Sequence, residues 1–273
     1  MIPNKGFTHG GTFHSDDVFS TALLKILNPD IEIQRGFEIP ENFDGIVYDI
    51  GLGKFDHHQL DNEVRKNGVP YASFGKLWKE YGTMLFTENQ CNLFDIGFIQ
   101  SLDNSDNTGE KDSLSTVISN MNPAWDDVRT TEECFEEAVQ FATYILNVQF
   151  DKIRAKERAN AEVAQKIKEM KDGILILDKH MPYQEQAIKN KNVKFAIYPS
   201  NRGGYNIQVV RKTFHTQEGR VPFPNEWLGA SKEILDSYVK GMYFCHKANF
   251  LASADTLENA INVAITAKNY RKR

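Results

Sequence analysis

The chain has 273 residues, 41% apolar and 25% charged, with a formal net charge of -5. These values describe an ordinary globular protein with room for one large core or two moderate ones. They give no whole-chain electrostatic reason for non-specific nucleic-acid binding, although a local basic groove would suffice. Three widely spaced cysteines (Cys91, Cys134, Cys245) form neither a disulfide framework nor a zinc-knuckle spacing. No apolar run approaches the ~20 residues of a membrane span, and the N-terminus lacks an apolar signal region. A cytoplasmic protein without membrane attachment is the expectation.

Phe7–Gly11 reads as a short first strand, and Asp17–Leu27 carries the apolar stripe of an amphipathic helix, stopped by Asn28-Pro29. Ser15 is the expected N-cap. Strands follow around Ile31–Ile33 and over Gly45–Ile50, the second a buried run of the parallel-sheet kind. Helices are expected over Tyr71–Tyr81 and through much of Asn89–Asp106. The acidic stretch from Asp103 to Gly109 reads as turn-rich. A long helix is expected from Thr131 to Met170, highly charged from Lys152 onward, as suits a helix bridging two domains. Beyond it, Gly173–Leu177, Val193–Tyr198, Tyr205–Val210 and Met242–Cys245 read as strands, and Ser231–Val239 and Thr256–Ala267 as helices. The class is therefore α/β: a catalytic domain over residues 1–170 and a smaller α/β substrate-binding domain over 171–273. The basic end Tyr270–Arg273 reads as solvated chain.

Four of the seven histidines fall in the first 58 residues. His9, His14 and Asp16 follow the first strand, Asp49 ends another, and Asp56, His57 and His58 follow a Gly-rich turn; Asp103 and Asp106 make a fourth group. Taken singly, each has a plain explanation as solvated surface or turn chemistry. Together they place imidazole and carboxylate donors at successive strand ends, where open α/β sheets put their chemistry. Six or seven such donors exceed what one cation needs and fit two divalent metals ~3.5–4 Å apart, a common arrangement for phosphoester cleavage. The donor mixture favours Mn2+, with Mg2+ and Zn2+ as alternatives.

The stretches T-H-G-G-T-F-H-S-D-D, F-D-H-H-Q, N-G-V-P-Y-A-S-F-G-K-L-W-K-E-Y-G, D-N-S-D-N, R-V-P-F-P-N-E-W and F-C-H-K-A-N-F are spread along nearly the whole chain. They resemble the melanocyte-proliferating-gene (Myg) family of metal-dependent hydrolases, within the DHH phosphoesterase superfamily. The resemblance implies a DHH-type parallel-sheet catalytic domain, joined by the long helix to the second domain, and a 3′→5′ exonuclease acting on single-stranded RNA. It implies that His9 and His14 bind one metal, Asp16 the other, and that Asp49 bridges them. His57 would be a further ligand, His58 would touch the second metal or a phosphate oxygen, and Asp56 would orient a histidine. Asp103 and Asp106 both fit the fourth motif. One departure stands out: His14 occupies a position where the wider superfamily carries Asp, which makes the site less anionic.

On the substrate side, Arg65 is a candidate phosphate grip, with a structural role as the alternative. Arg202, Arg211, Lys212 and Arg220 alternate with Tyr205, Phe214, Phe223 and Trp227, as a single-strand channel requires; an ordinary two-faced sheet explains the same pattern. By resemblance, His246 would reach a terminal phosphate; a satisfied structural histidine is the equal alternative. A pyrophosphatase or small-nucleotide phosphoesterase is the second enzymatic reading, a non-catalytic metal- or nucleotide-binding regulator the third, and a homodimer the candidate assembly.

Overall fold

The computed structural model describes residues 2–270; Arg271–Arg273 of the basic end lie outside the described residues. The chain divides into two compact units, Met1–Asp151 and Lys152–Arg273.

The first unit begins with strand β1 (Lys5–His9), helix α1 (Ser15–Leu27), β2 (Glu32–Gly36) and β3 (Ile46–Val47). The sheet is wholly parallel, in the order β2-β1-β3. From β1 the chain passes through α1 to one side of the strand and then returns to the other side for β3. That reversal opens a crevice at the carboxyl ends of β1 and β3, the position where open α/β sheets bind ligands. The strand expected over Gly45–Ile50 is only two residues long. Tyr48 makes one further parallel bridge to Phe55, and Asp49 turns into the left-handed region at φ 56.

Ser15 is the first helical residue of α1 and not its N-cap. His14 is the N-cap, and its backbone N–H donates to Asp17 Oδ1 at 2.9 Å. Ser15 lies inside the first turn and meets Ser115 Oγ at 2.9 Å. Histidine is an uncommon N-cap, so residue preference alone pointed one position too late.

Helices α2 (Ser73–Tyr81), α3 (Glu88–Phe94), α4 (Gln100–Thr108) and α5 (Ser113–Ser119) follow, with one π-helical turn, Asp95–Ile99, between α3 and α4. The acidic stretch from Asp103 is helical as far as Thr108, not turn-rich. Gly109 ends it in the left-handed conformation (φ 74), its N–H donating to Ser105 O. Helix α6 (Thr131–Glu169) starts on a capping box one residue earlier than its first helical position. Thr130 N donates to Glu133 Oε2 at 2.7 Å, and Glu133 N donates back to Thr130 Oγ1 at 3.2 Å. The first unit's core is aromatic: Trp78 stacks on Phe150 (5.7 Å), Phe94 on Phe98 (5.0 Å), and Phe19 packs on Phe74 (5.4 Å).

The division between units falls within α6, where the expected boundary followed it. The charged half of that helix still carries a narrow apolar stripe. Ala159 and Val163 are buried with Leu175, Leu177, Ala196, Tyr198 and Val210 in a core of the second unit. That unit comprises β4 (Ile174–Ile176), α7 (Gln184–Lys189), β5 (Phe195–Pro199), β6 (Tyr205–Val209), α8 (Lys232–Tyr238), β7 (Met242–Cys245), β8 (Leu251–Ala254) and α9 (Leu257–Asn269). Its sheet runs β4-β5-β6-β8-β7, parallel between β4 and β5 and antiparallel elsewhere. Both faces are covered. Phe195 and Ile197 pack with Ala260, Val263 and Ala264 of α9, while Ala196 and Tyr198 pack with Val163. That is the period-two alternation of a strand. Strand β8 (L-A-S-A) has little β propensity, and it forms because β6 and β7 supply pairing on both sides. Among the described residues no helix is long and apolar enough to cross a membrane.

Candidate metal centre

Three overlapping donor groups converge at the crevice of the first unit: His9, Asp17 and Asp49; Asp49, His57 and His58; and His14, Asp16 and Asp106. Asp49 joins the first two. Its Oδ2 lies 3.2 Å from His9 Nε2 and its Oδ1 3.1 Å from His57 Nε2. Ser73 Oγ donates to Oδ1 as well, at 3.1 Å. The left-handed backbone at Asp49 turns the carboxylate into this position, a conformation that non-glycine residues adopt only where the surroundings enforce it. His57 Nε2 also faces Asp16 Oδ2 (3.4 Å) and Asp106 Oδ2 (3.2 Å). One imidazole nitrogen therefore sits among three carboxylates.

The hydrogen bonds of the other ring nitrogens fix which atoms face inward. His9 Nδ1–H donates to Gly10 O at 3.0 Å. His57 Nδ1 lies 3.3 Å from Asn107 Oδ1, whose amide is oriented by donating from Nδ2 to Asp103 O at 2.8 Å. Both rings thus turn Nε2 toward carboxylate oxygens, where a proton on the ring or a bound cation supplies the positive charge between them. His58 is held differently. Its Nδ1 meets Asp56 Oδ1 at 2.6 Å, and the ring is 59% exposed beside the cluster. Asp56 itself also accepts from the N–H groups of Leu52, His57 and His58, so it shapes the loop and aims His58.

The protein groups alone leave the site unbalanced. Asp16 Oδ1 is buried without a hydrogen-bond partner, while Asp16 Oδ2 has His57 Nε2 at 3.4 Å and Asp17 Oδ2 has His9 Nε2 at 3.3 Å and Arg35 Nη2 at 3.9 Å; crowded buried carboxylates of this kind are costly unless a cation offsets them. This oxygen set, with imidazole nitrogens aimed at it, fits divalent transition-metal ligation. The titration behaviour agrees. Burial works against a charged His9, but its bond to Asp49 and the charge of Asp17 prevail and raise it to about 9. Burial likewise opposes a charged His57, and Asp16 and Asp49 outweigh it, raising the ring to about 11. Asp106 is pushed up to about 9 by burial and by the charge of Asp16. Asp17 is raised by burial and by the same neighbour. Burial favours the neutral form of Asp49 too, yet His57 and His9 hold it well below the usual carboxylate range.

These shifts set a sign. His9 and His57 titrate above their unfolded value of 6.5, so their stabilisation is complete below pH 6.5 and is lost as pH rises through about 9 and 11. Asp106 keeps a proton that the unfolded chain releases near pH 4, so its ionisation also lowers stability on the way to about pH 9. All three act in one direction. With EDTA present, the melting temperature should fall from pH 6.5 to 9, and Mn2+ should remove most of that slope. A flat profile in EDTA would overturn the protonation scheme.

A family model described as an uncharacterised protein family (UPF0160, MYG1_exonuc) matches residues 6–267. The chain belongs to this family. Among curated relatives, MYG1 exonuclease of Mus musculus is 26% identical over 324 aligned residues, covering 97% of this chain and 84% of the relative. MYG1 exonuclease of Homo sapiens is 27% identical, covering 97% and 85%. MYG1 protein of Dictyostelium discoideum is 27% identical, covering 96% and 95%. No solved structure matches.

Of the residues singled out in this MYG1-family sequence, the structure brings together His9, His14, Asp16, Asp49, His57, His58 and Asp106, with Asp56 behind them. Asp103 stands apart. It lies one helical turn before Asp106 on α4, and its carboxylate accepts from Arg65 Nη2 (2.7 Å) and Gly75 N (3.2 Å) instead. Of the two candidates for the fourth motif, Asp106 faces the cluster. Arg65 is not placed to grip a phosphate: it is buried, paired with Asp95 and Asp103, bonded to Pro70 O, and laid over the Tyr71 ring at 3.8 Å. Gly75 makes room for this pair, since a Cβ there would meet Asp103 Oδ2 at 1.9 Å.

In the second unit, Arg220 is also engaged. Its Nη atoms donate to the carbonyls of Ala187, Ile188, Asn190 and Val193, closing the C-terminal end of α7. Arg202 is exposed and Arg211 half-buried. His246 Nδ1 accepts from Ala248 N at 3.0 Å, and its ring lies 4.5 Å from that of Phe250. Sequence reasoning missed Asp17, Asn107 and Ser73. The signal for Asp17 was the His14-x-x-Asp17 spacing of a helix start, obscured because His rarely caps.

Proposed function

We propose that this protein is a metal-dependent phosphodiesterase of the DHH type that trims single-stranded RNA from its 3′ end, using two divalent cations, with Mn2+ preferred. The observation that carries the reading is Asp49, whose two oxygens face His9 on one side and His57 on the other. A carboxylate so placed serves two adjacent cations. His9, His14, Asp16, Asp17, His57 and Asp106 are the remaining donors. When bound, such cations supply Lewis-acid charge on the phosphate and a reactive water at neutral pH.

The chain's own groups do the rest. Asn107 and Gly10 O hold the His57 and His9 rings with Nε2 inward, and Ser73 steadies Asp49. His58 is tethered to Asp56 through Nδ1–H, which leaves Nε2 as a bare nitrogen able to meet a cation beside the phosphate. The exonuclease names carried by the mouse and human relatives support a nucleic-acid substrate. Exposed Arg202, half-buried Arg211 and His246 are the second unit's candidates for substrate contact.

The test is a 5′-labelled oligoribonucleotide incubated with the full chain and Mn2+, Mg2+ or Zn2+ in turn. Stepwise shortening from the 3′ end with release of mononucleotides is expected, fastest with Mn2+. Hydrolysis of pyrophosphate without oligonucleotide shortening would replace this reading with the pyrophosphatase one. Metal and nucleotide binding without turnover would replace it with a regulator.

A further inference from the structure

Two exposed aromatic side chains belong to segments that contact the loop between β1 and α1, the loop that carries His14 and follows His9. Phe37, directly after β2, is 80% exposed, yet its ring lies 3.4 Å from the point where a Cβ on Gly11 would sit. Trp125 is 96% exposed, in the segment between α5 and α6. Asn122 ties that segment to the same loop: its Oδ1 accepts from Phe13 N at 3.0 Å and its Nδ2 donates to Phe13 O at 2.9 Å. Trp125 is three positions beyond Asn122, a reach of about 10 Å at most.

The segment that holds the indole is well tied. Asp127 N donates to Ala124 O at 3.0 Å, and Arg129 pairs with Asp127 and with Glu137, both at 2.7 Å. Glu38 follows Phe37 and Asp126 follows Trp125, so neither ring sits in an unbroken apolar run. A protein interface needs roughly 800 Å² of continuous surface on each partner. Exposed flat rings on anchored backbone near a candidate phosphate site match what nucleobases require, because every base offers a π-face.

We infer that Phe37 and Trp125 are stacking platforms for the bases of a single-stranded nucleic acid whose phosphate lies at the carboxylate–imidazole cluster. The inference rests on the phosphodiesterase reading and adds the groups that grip the substrate in the first unit. Stacking of this kind is tolerant of base identity and selects unpaired strands.

Trp125 reports on its own occupancy, since Trp78 and Trp227 are 2% and 1% exposed. The full chain, with Ca2+ in place of Mn2+ to suppress turnover, is titrated with an oligoribonucleotide and with an abasic oligomer of the same length. Acrylamide should quench Trp125 in the free protein; the oligoribonucleotide should protect it and the abasic oligomer should not. Trp125→Ala and Phe37→Ala should each weaken oligoribonucleotide binding about tenfold, with Trp125→Phe retaining most of it and abasic binding unchanged. Equal affinity for the two oligomers, parental binding by both alanine variants, or an indole already shielded in the free protein would overturn the inference. Protection without turnover of any phosphodiester in Mn2+ keeps the platforms and discards the phosphodiesterase reading; turnover without protection does the reverse.

Discussion

Asp49→Asn is expected to lower Mn2+-dependent phosphodiester cleavage on the order of a thousandfold, with the fold intact. The two side chains have nearly the same shape, and Asn accepts the left-handed backbone found at this position (φ 56) at least as readily as Asp. What disappears is the negative charge between His9 and His57 and one of the two oxygens that face them. An amide nitrogen in place of Oδ2 would turn a donor toward His9 and toward any cation there. Manganese titration by calorimetry should show a lost or much weakened binding event in the variant. Its melting temperature in EDTA should fall while unfolding stays cooperative, because His9 and His57 lose the buried carboxylate that favours their charged forms. Undiminished cleavage, or full metal content with full affinity, would show that Asp49 does not join the two halves of the centre.

The second large effect is on stability. Arg65→Met should cost about 3–5 kcal/mol, the usual result of removing one partner from a buried ion pair. Arg65 is enclosed by Asp95 and Asp103, with Tyr71 beneath its guanidinium. Without it, Asp103 remains fully buried on α4 with backbone N–H partners at Gly75 and Ala72 and no cation beside it among these contacts. Burial already raises the Asp103 carboxyl to about 7, and Arg65 is the principal group opposing that shift. Adding Asp103→Asn to the Arg65 variant should recover part of the loss, since a neutral amide is cheaper to bury than an unpaired carboxylate. Urea denaturation of the two single variants and the double variant measures the coupling. A loss below about 1 kcal/mol for Arg65→Met would indicate that the pair is solvated and free to meet a substrate.

These two residues also mark how far the sequence could be read. Asp49 was recognisable because a lone carboxylate at the end of a buried apolar run coincides with the place where parallel sheets gather ligands. His9, His14, Asp16, His57 and His58 shared that signal, as donors grouped at successive strand ends. Arg65 carried no such signal. An arginine two turns after a His-rich motif reads the same whether it meets a phosphate or two aspartates, and the deciding contacts lie 30 and 38 positions away. The same holds for Arg220, whose partners are backbone carbonyls that no side-chain pattern reveals.

The fourth motif shows the reason most directly. Asp103 and Asp106 are three apart, and in a turn both would point to solvent. Because Gly109 caps a helix that extends through Thr108, the two carboxylates stand one turn apart on the same side of it, and their tertiary neighbours separate them, Arg65 for Asp103 and His57 for Asp106. Local composition favoured a turn, and tertiary partners for Asp103, Asp106 and Asn107 made a helix instead. The sequence by itself determined the α/β class, the long helix, the family and most of the donor set, because these depend on periodicity and on residue chemistry near strand ends. Only the tertiary structure decided that Asp17 joins the cluster, that Asp106 rather than Asp103 faces it, and that Arg65 and Arg220 are structural. Those choices depend on which distant groups share a buried space, and burial makes each unpaired charge too costly to leave without a partner.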